Sequence, residues 1–452
     1  MKKVVIGILS AGVLAVGTGL ATSYYMGERI QQTLQNTADA WSMQEGLTVQ
    51  FLSYERGVTS SQAKALWSLA TAEDTYDVTV THDIVHGPWP GGNAAQVISR
   101  FLLPDDSEPQ LVQALQQKSP LEWTTTASWS GATTNTLLSP NFSALFKDGS
   151  SLTWGGLKSE WTLSAQGNTT KGLVQMPALR VQAKDGSSME LEDADITFNT
   201  RVATPFSFWD GPISLKVGWM SVQTPETATQ FKLQQLAIHT TTTLQDKLVQ
   251  MGLKTSIAKV QAPAYSLDNL AWAINFKQVD AAWLDELIVS MQRNQQGEGP
   301  TTSLLSSLPE LLAAKPEIES HLSLNTPDGP AELSARMAYV GQQPEAFQPQ
   351  LDLQAHLRAK LPKVVVMQLL DSKVRSDYVE LLEQLHQDFD EQALQTAVDD
   401  GVEKRLKHLL ELDALQDSGT TFSAEIELDQ GALKLNGQPR ELQMLLQMGE
   451  AI

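Results

Sequence analysis

A serine three residues before a lysine, Ser61-Gln62-Ala63-Lys64, is the pairing from which a serine nucleophile with a lysine base is built. That chemistry needs the pair on the first turn of a helix, and it needs S-D-N and K-T-G segments that this chain lacks. The local alternation predicts a strand here, which sends the two side chains to opposite faces. Ser256-Ile257-Ala258-Lys259 repeats the spacing, which shows how readily it arises by chance. Among the histidines, His82 and His86 share a face of a predicted strand but stand about 13 Å apart, too far for one ion. There is no H-E-x-x-H, no phosphate-binding G-x-x-x-x-G-K-[ST], no G-x-G-x-x-G between strand and helix, and no G-x-S-x-G. With 52 acidic residues a glycosidase-like pair stays open, but nothing singles out two of them. The acidic stretch at 377–403 reads as a solvated face, with docking of a basic partner as the alternative. Trp123 and Trp129 sit on apolar strand faces and are expected in the core rather than in a ligand groove. No catalytic, cofactor-binding or metal-ligating residue is assigned.

The composition narrows the classes. The 452 residues carry 32 Lys+Arg against 52 Asp+Glu, a formal net charge of -20, which repels phosphate backbones and argues against nucleic-acid binding. Hydrophobic content of 42% suffices for a packed core. The chain has no cysteine, so disulfides, thiolate catalysis and a lipid-modified cysteine are excluded.

The elements that must position any site begin with an apolar run. Val4 to Met26 carries no charge and follows Lys2 and Lys3, so a single membrane-spanning signal anchor is expected over residues 1–27, N-terminus in the cytoplasm. A cleaved signal peptide, with Gly19-Leu20-Ala21 as the cleavage site, is the rival reading. Either way the bulk, 28–452, is expected outside the cytoplasm. Residues 28–45 read as a helix. The period then becomes two: Leu47, Val49 and Phe51, then Tyr76 to Ile84, then Trp123 to Trp129. Arg56-Gly57 is a turn. Asp185-Gly186 joins two strands, and apolar positions change phase between Leu191 and Ala194, as at a bulge. Helices are expected at 279–294 and 302–314 and, longest, from Pro362 to about Leu415, where Gly401 is a candidate kink. Residues 294–303 are the best candidate linker. The expected class is α+β: an N-terminal transmembrane helix, an extended and mostly antiparallel sheet, and helices concentrated in the C-terminal half.

Three stretches, "YYMGERI", "YERGVTSSQAKAL" with "HGPWP", and "GALKLNGQPRELQMLLQM", together resemble the YdgA/YihF family of gammaproteobacterial envelope proteins. The resemblance covers both ends of the chain, and residues 100–360 only in strand-rich character. It implies an inner-membrane, periplasm-facing protein able to self-associate as a homodimer, and no established reaction. Tyr54, Arg56, Gly57, Ser60, Ser61, His86, Gly87 and Pro88 match its signature and are candidate structural or functional positions. The expected function is a non-enzymatic envelope scaffold or a binding surface for a partner protein or lipid, without a cofactor. A periplasmic hydrolase acting on envelope glycan or lipid is the alternative.

Overall fold

The structure, a computed structural model, describes residues 46–57, 60–71, 74–86, 93–225, 229–263, 265–294, 307–384 and 390–444. The chain divides into two compact units, Met1–Val202 with Trp209–Leu236, and Ala203–Phe208 with Ala237–Ile452.

In the first unit β1 (Leu47–Arg56), β2 (Ser60–Ala70), β3 (Thr75–His86), β4 (Ala95–Phe101), β5 (Leu121–Ala127) and β6 (Thr133–Ser139) form an antiparallel meander. Between β4 and β5 the short helix α1 (Pro109–Leu115) buries Leu111 and Leu115 against Phe142, Trp154 and Leu179. A hairpin of β7 (Phe142–Leu145) and β8 (Ser151–Trp154) precedes β9 (Leu157–Leu163). The long β10 (Thr169–Gln182) pairs β9 with its first half and β8 with its second. Next come β11 (Ser188–Val202) and β12 (Trp209–Thr224), and the division between units falls within β13 (Thr229–Gln245).

The second unit continues with β14 (Leu248–Ala262), β15 (Tyr265–Asp280), α2 (Ala281–Asn294) and α3 (Leu308–Ala313). Then follow β16 (Glu317–Thr326), β17 (Gly329–Tyr339), β18 (Leu353–Pro362), α4 (Lys363–Gln384) and α5 (Glu391–Glu411). Short β19 (Gln416–Asp417), β20 (Thr421–Asp429), β21 (Ala432–Leu435) and β22 (Gln438–Arg440) close the chain. The pairing order is β14-β15-β16-β17-β18-β20-β21-β22, antiparallel throughout.

The α+β expectation is corrected. Of the described residues 58% are strand and 20% helix. Strands β10 to β15 run 14 to 17 residues each with no helix among them, so the alternating pattern builds mostly sheet and the helices only cover parts of it. Among the described residues no helix is long and apolar enough to cross a membrane. The run Val4–Met26, the stretch 28–45 and nearly all of 294–303 lie outside the described residues.

The phase change in β11 has a structural cause. Asp193 takes a left-handed conformation (φ 54°) opposite Gly218, with Pro177 at the same level of β10. All three strands shift together and the pairing register survives: Met176, Ala194 and Val217 stay level, as do Leu179, Leu191 and Met220. Met176, Leu179 and Leu191 accordingly enter one apolar cluster.

Two of the three long helices start at a capping carboxylate. The Asp280 carboxylate accepts from the N–H groups of Ala282 (2.9 Å) and Trp283 (3.0 Å), capping α2, and Asp390 caps α5 by accepting from Ala393 N–H. Helices α4 and α5 bury Val366, Leu370, Val374, Leu394, Val398 and Val402 together with Phe422 and Leu435. Gly401 does not kink α5, which runs unbroken through it. A Cβ there would lie 2.7 Å from Val374 Cγ1, so its absence lets the helices approach. Gly401→Ala should therefore destabilise the protein: a helix-propensity gain of about 1 kcal/mol is outweighed by overpacking of about 1–3 kcal/mol. In denaturant titrations Gly401→Ala combined with Val374→Ala should cost less than the sum of the single changes. Strict additivity would refute the contact.

Candidate functional site

The described signature residues lie at one end of the β1–β2–β3 sheet. Gly57 N–H donates to Ser60 O (2.8 Å) in the β1–β2 turn, and a Cβ on Gly57 would come within 2.4 Å of that oxygen. Tyr54 lies opposite Ala63 and packs, half-buried, on the Ala63, Ile84 and Val97 cluster. Arg56 stands opposite Ser61, with Arg56 exposed and Ser61 buried. Ser60 is exposed, and His86 ends β3 opposite Ala95. Gly87 and Pro88 lie outside the described residues. Lys64 is exposed while Ser61 is buried, so strand geometry separates the S-x-x-K pair.

The same sheet brings together a histidine and a serine that sequence spacing did not. His82 on β3 lies beside Ser99 on β4, with Nδ1 2.7 Å from Ser99 Oγ. Both are buried, at 6% exposure each, and Nε2 has no hydrogen-bond partner among the described residues. A serine nucleophile needs a reachable hydroxyl and an imidazole oriented through its second nitrogen. Here the adjacent Asp83 points to the other face, where it takes hydrogen bonds from Gln62 and Arg100. Burial lowers the His82 pKa to about 4, against a smaller opposing pull from Asp83. Of the two tryptophans expected in the core, Trp123 is buried, but Trp129 follows the end of β5 and is 47% exposed.

In the second unit, alternation, interrupted at Val249–Met251 and at Asp268–Ala271, separates two unlike faces. On one, Met251, Phe276, Ile318, Met337, Ala355 and Leu428 form a row across β14, β15, β16, β17, β18 and β20. The next row is Leu253, Ile274, Ser320, Ala335, Leu357 and Ile426, and the third is Thr255, Trp272, Leu322, Leu333, Ala359 and Ala424. Trp272 Nε1 donates to Ser320 Oγ (3.1 Å), so two of the few polar groups here satisfy each other. One end of this face is covered where α2 packs near Val249 and Val279, and another where α4 and α5 meet Phe422 and Leu435. Between them the described residues leave the surface partly open: Trp272 is 39%, Leu333 37% and Met337 43% exposed. In the first unit Val174, Ile196 and Leu215, with Phe198 and Ile213 in the next row, form a similar partly open face.

The opposite face of the second unit is paved with charge. Arg336 donates twice to Glu317, at 3.1 Å each, and Lys277 reaches Glu317 (3.1 Å) and Glu319 (2.7 Å). Chiefly through Arg336, the Glu317 pKa is held down to about 2. His356 Nε2 lies 2.8 Å from Glu425 Oε1, and the His356 and Arg358 bonds keep the Glu425 carboxyl below its usual range. An open depression of about 280 Å³ is lined by Asn275, Glu319, His321, Ser334, Arg336 and His356. Sequence spacing could not join His356 to Glu425, 69 residues later; only the β18–β20 pairing does.

Set beside known proteins, residues 1–443 match the profile of a bacterial family of unknown function, DUF945, and the chain belongs to that family. No curated protein matches it.

One consequence of the buried imidazole is measurable. Folded His82 resists the proton that the unfolded chain accepts near 6.5, so between about 4 and 6.5 the unfolded state binds more protons. Stability should be fully present above that window and should fall by roughly 3 kcal/mol as pH drops through it. Denaturant midpoints of His82→Gln should depend less on pH there than those of the wild type, and parallel curves would refute this account.

Proposed function

We propose that this protein is a non-enzymatic, periplasm-facing envelope protein that holds lipid acyl chains on open apolar sheet faces. The observation that carries the reading is the exposed apolar stretch around Trp272, Leu333 and Met337, with charge on the reverse of the same strands. A ligand made of methylenes needs no hydrogen bonds and gains about 0.8 kcal/mol per CH₂ buried. A protein partner would bring polar groups for which this face has few mates. Strands β15 to β18 are paired on both sides, so no peptide can add to them as an extra strand. The envelope location is supported by the apolar run after Lys2 and Lys3, by the absence of cysteine, and by the resemblance of both chain ends to YdgA/YihF-like proteins.

The test is lipid carried through purification and scored by mass spectrometry, with displacement of a fluorescent fatty acid in parallel. Trp272→Glu with Met337→Glu, both at exposed positions, should cut retained phospholipid at least about tenfold with little change in melting temperature, because a charge placed against methylenes costs several kcal/mol. A wild-type protein that carries no lipid and displaces no probe would sink the proposal. The rival reading, hydrolysis of envelope glycan or lipid, would replace it if labelled substrate turned over and Ser99→Ala abolished the turnover.

A further inference from the structure

The charged face of the second unit holds a mixed nitrogen and oxygen donor set, separate from the apolar face and independent of the lipid reading. Glu425 and Glu427 stand two apart on β20 and so point the same way, and His356 lies directly opposite Glu427 on β18. His356 Nε2 is 2.8 Å from Glu425 Oε1 and 3.9 Å from Glu427 Oε1, and the three donor atoms lie within 4.8 Å of one another. Two ligands at i and i+2 with a third across the ladder are placed by the pleat itself, with no loop to order. Two cations now serve these carboxylates. Lys434 Nζ takes the far oxygen of Glu427, Oε2, at 3.2 Å and leaves Oε1 turned toward His356. Arg358 Nη2 sits 2.5 Å from Glu425 Oε1, and its side chain is 63% exposed, free to swing into solvent.

We propose that a divalent transition-metal ion, zinc by its chemistry, binds His356 Nε2, Glu425 and Glu427 and displaces the Arg358 guanidinium from Glu425. An imidazole beside two carboxylates suits zinc, whereas magnesium and calcium prefer all-oxygen sets. A depression of about 280 Å³ borders His356 on its β17 side, with Arg336 and Ser334 on its wall, so solvent reaches the imidazole.

The experiment titrates zinc chloride into the full-length chain against a chromogenic chelator. One equivalent should bind per chain. His356→Ala and Glu427→Gln should each weaken binding at least about tenfold, the low end of what even outer-shell changes cost. Arg358→Ala should tighten it, since it removes the competing cation, and magnesium at equal concentration should not compete. Circular dichroism melts control for folding, and Glu427→Gln stands in if His356→Ala fails to fold. Three results overturn the proposal: no zinc bound by the wild type, binding unchanged in the His356 and Glu427 variants, or binding that follows His321 instead.

Discussion

Everything in this protein depends on strands keeping their phase. An antiparallel ladder allows each side chain one of two faces, and slipping one strand by one residue exchanges them all. Over strands of 14 to 17 residues such an error would put isoleucine among glutamates. The sequence does change phase in the first unit, and the fold absorbs the change by shifting β10, β11 and β12 at one level, through Pro177, Asp193 and Gly218. A bulge in one strand alone would have broken the register. Pro177, Asp193 and Gly218 lie level with one another, and the rows Val174–Ile196–Leu215 and Leu179–Leu191–Met220 stay aligned across them.

The charged face contributes little stability for the number of its pairs. Its ion pairs are mostly a third or more exposed, and such pairs are worth about 1 kcal/mol or less each. Their value lies in asymmetry. A face on which Lys277, Glu317, Arg336, Glu425 and Lys434 answer one another by sign stays in water and resists stacking against another sheet. On the proposed reading, an apolar ligand has only the other side to occupy. The same crowding of donors brings His356 against two carboxylates, so the cation site and the solvated face come from one arrangement.

Most of the strands could be read from alternation, and the hairpins at Arg56-Gly57 and Asp185-Gly186 from their turn residues, because both signals are local. The failures share one physical cause. Trp129 continues the alternation on paper, but β5 ends at Ala127 and the ring beyond it is 47% exposed. Gly401 looks like a helix breaker until Val374 is placed against it. His82 with Ser99, and His356 with Glu425, are set by register between strands, which spacing along the chain does not encode. The balance of sheet to helix is hard to read for a related reason: apolar stripes at 363–411 read strongly as helix, while the long strands from 169 to 280 carry their signal diffusely, in alternation that reveals itself only when paired.

The open apolar stretch is not simply a core that lacks one more helix. Where helices do cover this face, the residues beneath are closed: Val249 is fully buried, Val279 is 4% exposed and Phe422 5%. On the middle strands small and large side chains interleave: Ala335, Ala355, Ala359 and Ala424 stand among Leu333, Met337, Leu357, Ile426 and Leu428. A helix of this chain seated there would have been expected to select larger residues to fill the space, since every unfilled methylene costs about 1 kcal/mol. Leaving Trp272 and Met337 exposed on this face carries a standing solvation cost, which, on the proposed reading, a flexible apolar ligand removes without asking the sheet for a hydrogen bond.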